Sequence, residues 1–487
     1  MKRYERHADA IAQLIHSGAL RPGDRVPSVR EASRTRGISP STVFEAYYLL
    51  EAQGLIHARP RSGYYVSARL PGVAEARPAE PLPSRPAATS TGVAISDLVF
   101  EVLGLARDRD LVPLGSAFPG LELFPLDRLA RCLGSGMRKL DPWDIVQSLP
   151  PGDERLRQQI ALRYGLHGMA VDVEEIIITN GAMEALNLCL EAVTRPGDIV
   201  VVESPTFYAA LQALERLNLQ ALEIATHPRD GIDLAALAEA LERQSSRHPQ
   251  QRVKACWLMP SFQNPLGSLM PEHKKRELVA LLARHQVPLI EDDVYGELHF
   301  GPQRPPPAKA FDAEGLVMHC SSFSKSLAPG YRVGWVAAGR FATAVQRLKL
   351  MTTLSAATPS QQALSEYLAQ GGYDRHLRQL RRSLAEQQAI ALAAVARHFP
   401  PGTRVSRPEG GYFLWVELPP QVNALALHRQ ALAQGISLAP GQIFSADQRF
   451  AHCVRINYGH PAQSRFEAAL HTVGELATAM AATPPGG

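Results

Sequence analysis

The sequence predicts a multidomain protein: a small α+β head followed by a much larger α/β body built on a largely parallel sheet. Three observations predict it. The chain has 487 residues, more than one ordinary core holds. Residues 70–93, LPGVAEARPAEPLPSRPAATSTGV, contain five prolines and almost no large apolar side chain. That composition reads as a semi-extended linker, with a long internal loop as the alternative. The charge is also divided unevenly. Residues 1–69 carry 11 Lys and Arg against 6 Asp and Glu, and the remainder carries 40 against 41. The positive excess therefore sits in the head and points to a polyanionic partner there.

Composition narrows the rest. A hydrophobic content of 45% fits a globular protein, and no apolar run is long enough to span a bilayer, so no membrane partner is expected. The start, MKRYERHADAIAQLIHSG, is basic but has no continuous apolar core, and reads as an amphipathic helix rather than a signal peptide. Cys132, Cys189, Cys256, Cys320 and Cys453 are scattered and form no C-x-x-C pair. Neither a disulfide framework nor a zinc site is suggested, no metal is expected, and a reducing cytoplasm is the simplest location.

The head reads as three helices and a hairpin. The first helix covers roughly Tyr4 to His16, and RPGDRVPS is a loop. Ser28 and Glu31 have capping-box spacing and open a second helix. After a turn at Gly37, Ser39 is an N-cap, Pro40 suits the first helical position, and Val43, Ala46, Tyr47 and Leu50 share one face of a third helix ending at Gly54. LIHARPRSGYYVS then alternates like a strand pair with a basic tip. This is a winged helix-turn-helix pattern, which places the start of its second motif helix in the DNA major groove. Ser39, Ser41 and Thr42 can donate to phosphates or base edges, and Arg30, Arg59 and Arg61 supply backbone charge. A protein-interaction domain with a basic face is the alternative.

In the body, EEIIITNG, DIVVVESP, VKACWLMPSF, VPLIEDDVY and GLVMHCSSFSK read as strands, with amphipathic segments such as LAALAEALERQSS and EHKKRELVALLARH between them. In parallel sheets, ligands bind beyond the carboxyl ends of strands. These strands end in Asn180-Gly181, Ser204-Pro205, Asn264-Pro265, Asp292, and Ser322 to Lys325. Together these groups suit one chemistry. Lys325 can form a Schiff base with a carbonyl cofactor. Asp292 can pair with a pyridinium nitrogen, and Asn264 and Tyr295 with a phenolic oxygen. The N–H groups of Gly181, Ala182 and Met183 open a helix and make an anion site. Ser322, Ser324 and Arg332 complete a phosphate cup, and Phe207 can stack on a ring. The whole describes pyridoxal 5′-phosphate. Individually each residue is weaker. Ser322-x-x-Lys325 also matches a penicillin-binding motif, but its companions SDN and KTG are absent from the sequence. Asp292 and Asp293 could hold a metal, but no histidine cluster lies nearby in the sequence.

The motifs carry a resemblance. LRPGDRVPSVREAS, GISPSTVFEAYYLLEAQGLI and RPRSGYYV resemble the GntR-type DNA-binding domain over residues 1–69, which implies DNA contacts from Arg30, Ser41, Thr42, Arg59 and Gly63. NGAMEAL, QNPLG, EDDVYGEL, SSFSKSLAPGYRVGW and VRINYG resemble fold-type I aminotransferases over residues 94–475. That likeness implies a smaller C-terminal α+β subdomain over roughly 360–475, with residues 476–487 left as a flexible tail. It also implies Lys325 as the Schiff-base lysine and Arg455 on a substrate carboxylate, with a structural ion pair the alternative for Arg455. Ser148 stands where such enzymes carry a tyrosine reaching the neighbouring subunit's phosphate.

The combination resembles the MocR subfamily of regulators. It implies a homodimer on a double-stranded DNA operator, with an amino compound displacing Lys325 from an internal aldimine, or a B6 vitamer, as effector. A working aminotransferase carrying a DNA-binding module is the competing expectation.

Overall fold

Two serines start the motif helices of the head. The Ser28 hydroxyl accepts from the Glu31 amide at 3.2 Å and opens helix Val29–Arg36, which Gly37 ends at φ 62°. The Ser39 hydroxyl accepts from the Thr42 amide at 3.2 Å, and helix Pro40–Ala52 follows. Its residues Val43, Ala46, Tyr47 and Leu50 are fully buried, packed with helix Arg3–His16, as their helical spacing predicts. Strands Ile56–Arg59 and Gly63–Val66 pair antiparallel. The stretch expected as a loop adds to this wing: Val26 donates to the Tyr64 carbonyl and Val66 to that of Asp24.

The computed structural model describes residues 3–16, 20–21, 23–52, 55–59, 63–66, 78–104, 110–245, 252–460 and 464–482. Arg61 and Gly54 fall outside these residues, as does the side chain of Arg59. The chain divides into two units, 1–77 and 78–487. No described helix is long and apolar enough to cross a membrane.

The body is organised by one nine-stranded sheet. Its order is Thr91–Gly92, Gln220–His227, Ile199–Ser204, Val253–Leu258, Leu289–Asp292, Val317–Ser322, Gly334–Ala337 and Ile176–Thr179, with Gly231–Ile232 pairing Gln220–His227. From Gln220–His227 to Val317–Ser322 every pairing is parallel. Helices cover both faces, so these strands are apolar runs rather than alternating ones. All five strands read from the sequence are present. Gly334–Ala337 runs antiparallel to both neighbours and was not foreseen.

A second, four-stranded antiparallel sheet lies near the C-terminus: Arg404–Val405, Phe413–Glu417, Cys453–Asn457 and Ala439–Pro440. The early segment around Leu114 joins it, with Asn457 donating to the Leu114 carbonyl.

Two expectations are corrected. Residues 78–93, expected as linker, run along the body. The Ser84 hydroxyl donates to the Ser204 carbonyl at 2.5 Å and accepts from the Thr226 amide at 3.2 Å. Arg407 donates to the Pro78 carbonyl and Arg449 to that of Arg85. Thr91–Gly92 pairs the sheet edge. Proline-rich chain has no donors to spare, but its carbonyls still accept, and arginines of the body supply the bonds. Residues 476–482, expected as tail, continue helix Ser464–Ala482, because Leu470, Val473 and Ala477 are fully buried along one face.

Candidate cofactor and substrate site

The site forms where the strand ends converge. Strand Val317–Ser322 runs parallel to Leu289–Asp292, with Cys320 opposite Asp292, so the turn carrying Lys325 leaves the sheet beside Asp292. Lys325 Nζ donates to the Ala117 carbonyl at 2.7 Å and lies 4.1 Å from the centre of the Phe118 ring. Burial, then the nearby Arg455 and Arg332, lower its pKa to about 7, against the opposing pull of Asp292. A neutral amine is the form that attacks a carbonyl.

Asp292 is buried, and its Oδ1 has no hydrogen-bond partner among the described residues. Burial, then the adjacent Asp293, push its pKa up to about 7. Asn264 accepts from Arg455 Nη1 at 3.0 Å through Oδ1, and its Nδ2 has no partner among the described residues. Tyr295 is buried with its ring 5.4 Å from that of Tyr412. The site thus offers an unpaired acceptor and, separately, an unpaired donor. A pyridine ring with a protonated nitrogen and a phenolic oxygen supplies the complement of each.

The phosphate end is built from backbone. Gly181, at φ 83°, precedes helix Ala182–Val193 and lies against Arg332: a Cβ there would come within 2.5 Å of the guanidinium. A Cβ on Gly334 would come within 2.5 Å of the Gly181 carbonyl carbon, and Gly334 pairs in register with Ser322. Arg332 donates to the Ser324 hydroxyl at 3.4 Å and to the Asn180 carbonyl at 3.3 Å. Residues 180–183, Ser322, Ser324 and Arg332 are therefore neighbours. The Gly181 amide, expected in the anion site, instead donates to the Thr179 carbonyl at 2.9 Å, and the amides of Ala182 and Met183 open the helix. These features fit pyridoxal 5′-phosphate.

Arg455 is fully buried. Its Nη2 donates to the Gly115 carbonyl at 2.8 Å and that of Ser116 at 3.2 Å, and its guanidinium lies 4.2 Å from the Phe413 ring centre. Among the described residues no carboxylate pairs with it, and its Nε has no partner. The structural ion pair given as the alternative is not formed among the described residues. Phe207 starts helix Tyr208–Arg216, half-buried, its ring 4.8 Å from that of Tyr208. Ser148 turns its hydroxyl onto the Asp144 carbonyl at 2.9 Å.

Several participants escaped sequence reading. Asn457 donates to the Ser116 and Phe118 carbonyls, and Tyr412 to that of Ala117, so residues 115–118 are held across the site. Asn457 lies two residues beyond Arg455 on one strand, hence on the same face, which is a usable signal. Tyr412 sits in an aromatic run that reads as core. In the head, Ser39 bonds both Ser41 and Thr42, at 2.9 and 2.8 Å, so the three hydroxyls hold one another. Arg30 is exposed, and Arg25, not foreseen, lies beside Gly63 at the wing.

Residues 145–471 match the family of class I and II aminotransferases, and residues 3–66 match the bacterial regulatory proteins of the gntR family. The chain belongs to the family that fuses a GntR head to a class I and II aminotransferase body. This GntR–aminotransferase fusion is what the likeness to the MocR subfamily implied. Its relatives include the uncharacterized HTH-type transcriptional regulator YdcR of Escherichia coli, 47% identical over 98% of this chain and 99% of that one. The multiple substrate aminotransferase of Thermococcus profundus is 26% identical with a TM-score of 0.73, covering 79% of this chain and 95% of that one. The α-aminoadipate aminotransferase LysN of Thermus thermophilus, complexed with N-(5′-phosphopyridoxyl)-L-leucine, is 28% identical with a TM-score of 0.71, covering 80% and 100%. Pyridoxal phosphate is the cofactor of this fusion.

Proposed function

We propose that the protein is a pyridoxal-phosphate-dependent, DNA-binding transcription regulator whose body senses an amino compound carrying a carboxylate. The observation that supports the effector class is Arg455: a buried guanidinium, with no carboxylate partner among the described residues, close enough to Lys325 to lower its pKa. A buried unpaired cation is costly, and an arriving carboxylate offsets that cost in the planar, two-pronged geometry arginine favours. Pyridoxal phosphate, when bound, supplies an electrophilic carbonyl for amines and a ring that accepts electrons. Lys325 attaches it, Asp292 accepts the hydrogen bond of the ring nitrogen, and Asn264 and Tyr295 donate to the ring oxygen. Ser322, Ser324, Arg332 and the helix start at Gly181 hold the phosphate. The carbonyls of Gly115 and Ser116 give up their bonds to Arg455 when a ligand carboxylate takes it.

The head binds a double-stranded operator through Arg30, Ser39, Ser41, Thr42, Arg59 and Gly63, and the effector shifts operator affinity by favouring one arrangement of the body. The regulator works as a homodimer. Trp143, Ile145, Val146 and Leu149, exposed at 64, 54, 48 and 38%, make an apolar patch suited to a second copy.

A second reading, a working aminotransferase, is favoured by the completeness of the set from Lys325 to Arg455. One experiment separates these readings. The visible spectra of wild type and Lys325→Ala are recorded with a panel of amino acids and amines, then turnover and operator binding are measured with whichever ligand acts. A Lys325-dependent band that one amino acid shifts, with changed operator binding and no turnover, supports the sensor. Sustained turnover without an operator effect supports the enzyme. A band that no amine shifts, with operator binding that follows B6 vitamers, replaces the amino compound as effector.

A further inference from the structure

We propose that helix Pro40–Ala52 reads thymine through its 5-methyl group, and that Phe44 is the residue that reads it. The inference rests on the DNA-binding reading above and extends it to the kind of base recognised.

The helix, PSTVFEAYYLLEA, contains no lysine or arginine. Val43, Ala46, Tyr47 and Leu50 face the core of the head, so the outward face is Ser41, Phe44, Glu45 and Tyr48, all exposed. Phe44 is 42% and Tyr48 56% exposed, and their rings stack at 6.4 Å. The hydroxyls at the start of the helix bond one another, with Ser39 also serving as cap. What the first turns present outward, apart from these hydroxyls, is a phenyl ring and a carboxylate.

Three considerations make a DNA groove the occupant of this face. The first turns of the second motif helix are the part that meets base edges. The surroundings are cationic: Arg30, Arg34 and Arg36 of the preceding helix are exposed, and residues 1–69 carry 11 Lys and Arg against 6 Asp and Glu. Those arginines suit phosphates, which position a protein without reading sequence. Glu45, on the same outward face, repels phosphates, so this face turns to bases rather than to backbone. Among base edges in the major groove, the one apolar feature is the thymine methyl, and Phe is one of the side chains that contact it.

The test uses the full-length protein. Bound duplexes are selected from a random library, and each thymidine of the recovered site is replaced by deoxyuridine, which removes only the methyl. Wild type should lose about fourfold in affinity at a defined thymine position, the effect of burying one methyl group. Phe44→Ala should bind the thymidine and deoxyuridine duplexes equally, and Phe44→Leu should keep part of the preference. Arg30→Ala should weaken both duplexes by the same factor. A specific site recovered with no methyl dependence, or Phe44→Ala retaining the preference, overturns the assignment and leaves DNA binding standing. Phe44→Ala that changes the oligomeric mass and not the base preference also overturns it, making this face a contact with a second copy. Recovery of no preferred sequence removes the DNA-reading function and this assignment together.

Discussion

Asp292 and Asp293 are consecutive, chemically identical and both buried, yet their surroundings oppose one another. Asp293 Oδ2 accepts from Arg304 at 2.6 Å and from His319 Nε2 at 3.0 Å. Burial alone would raise its pKa, but Arg304 and His319 more than offset that and hold it below the usual carboxylate range. Around it Glu297 meets Arg163, Arg304 and Arg381, so positive and negative groups answer each other. Each aspartate keeps one oxygen without a hydrogen-bond partner among the described residues, but on the other side of the strand Asp292 has no ion-pair partner among them, and its pKa is pushed up to about 7. Beyond it Arg455 is buried with carbonyls and aromatic rings rather than a carboxylate. One side pairs its charges without a ligand. The other pairs them only with one, and that difference separates structural charge from functional charge.

The largest test breaks the charge-paired side. Asp293→Ala leaves Arg304 and His319 buried without their acceptor and should cost about 3–5 kcal/mol of unfolding free energy. Asp292→Ala should cost far less, so equal denaturation midpoints for the two variants would erase the contrast. Next comes Arg455→Leu. Its thermal midpoint should stay level or rise, because a buried cation without a carboxylate is removed, while affinity for an amino-acid effector drops by about 2–5 kcal/mol in a titration. A midpoint that collapses would make Arg455 structural.

Two smaller effects concern pH. Asp292 binds its proton more tightly in the folded protein than at the unfolded value of about 3.9. In cofactor-free protein its contribution is therefore present at low pH and lost as pH rises through the window up to about 7. Asp293 has the opposite sign, contributing above the unfolded value and losing that contribution as pH falls. Asp292→Asn should flatten the first slope in a pH series of unfolding curves and leave the second. Smaller still, Lys325 is half neutral near pH 7. Attachment of pyridoxal phosphate should slow about tenfold from pH 8 to pH 6, following the fraction of free amine. A rate that keeps rising towards pH 10 would belong to an ordinary exposed lysine.

This contrast marks the limit of what the sequence shows. Lys325, Asp292 and Asn264 were legible because strand ends carry polar residues where apolar runs stop, and in a parallel sheet those ends share one edge; Arg332 was legible only as a charge in the loop that follows Lys325. The five strands read from the sequence, four of them inside the sheet and Ile176–Thr179 at its edge, were legible for the same reason. That Asp293 serves structure was not legible, because its partner Arg304 comes from PQRPPPAK, a stretch that reads as loose loop. Gly334–Ala337 escaped because four residues among glycines carry no mark of direction. Gln220–His227 escaped because it begins in polar chain beside a helical pattern. Residues 78–93 misled because prolines speak about local stiffness and say nothing of which arginines will take their carbonyls.

That stretch has a mechanical consequence. It is moored at two separate places: to the small antiparallel sheet, where Ala79 bridges Arg404, and to the large sheet, where Ser84 bonds Ser204 and Thr226. Ser204 stands three residues before Phe207, on the strand that leads into the cofactor site. A line tied to two cleats stays at constant tension only while the cleats stay still. Any sliding of one sheet against the other must stretch, slacken or release this line, and in the sequence it is the segment that follows the DNA-binding head's unit.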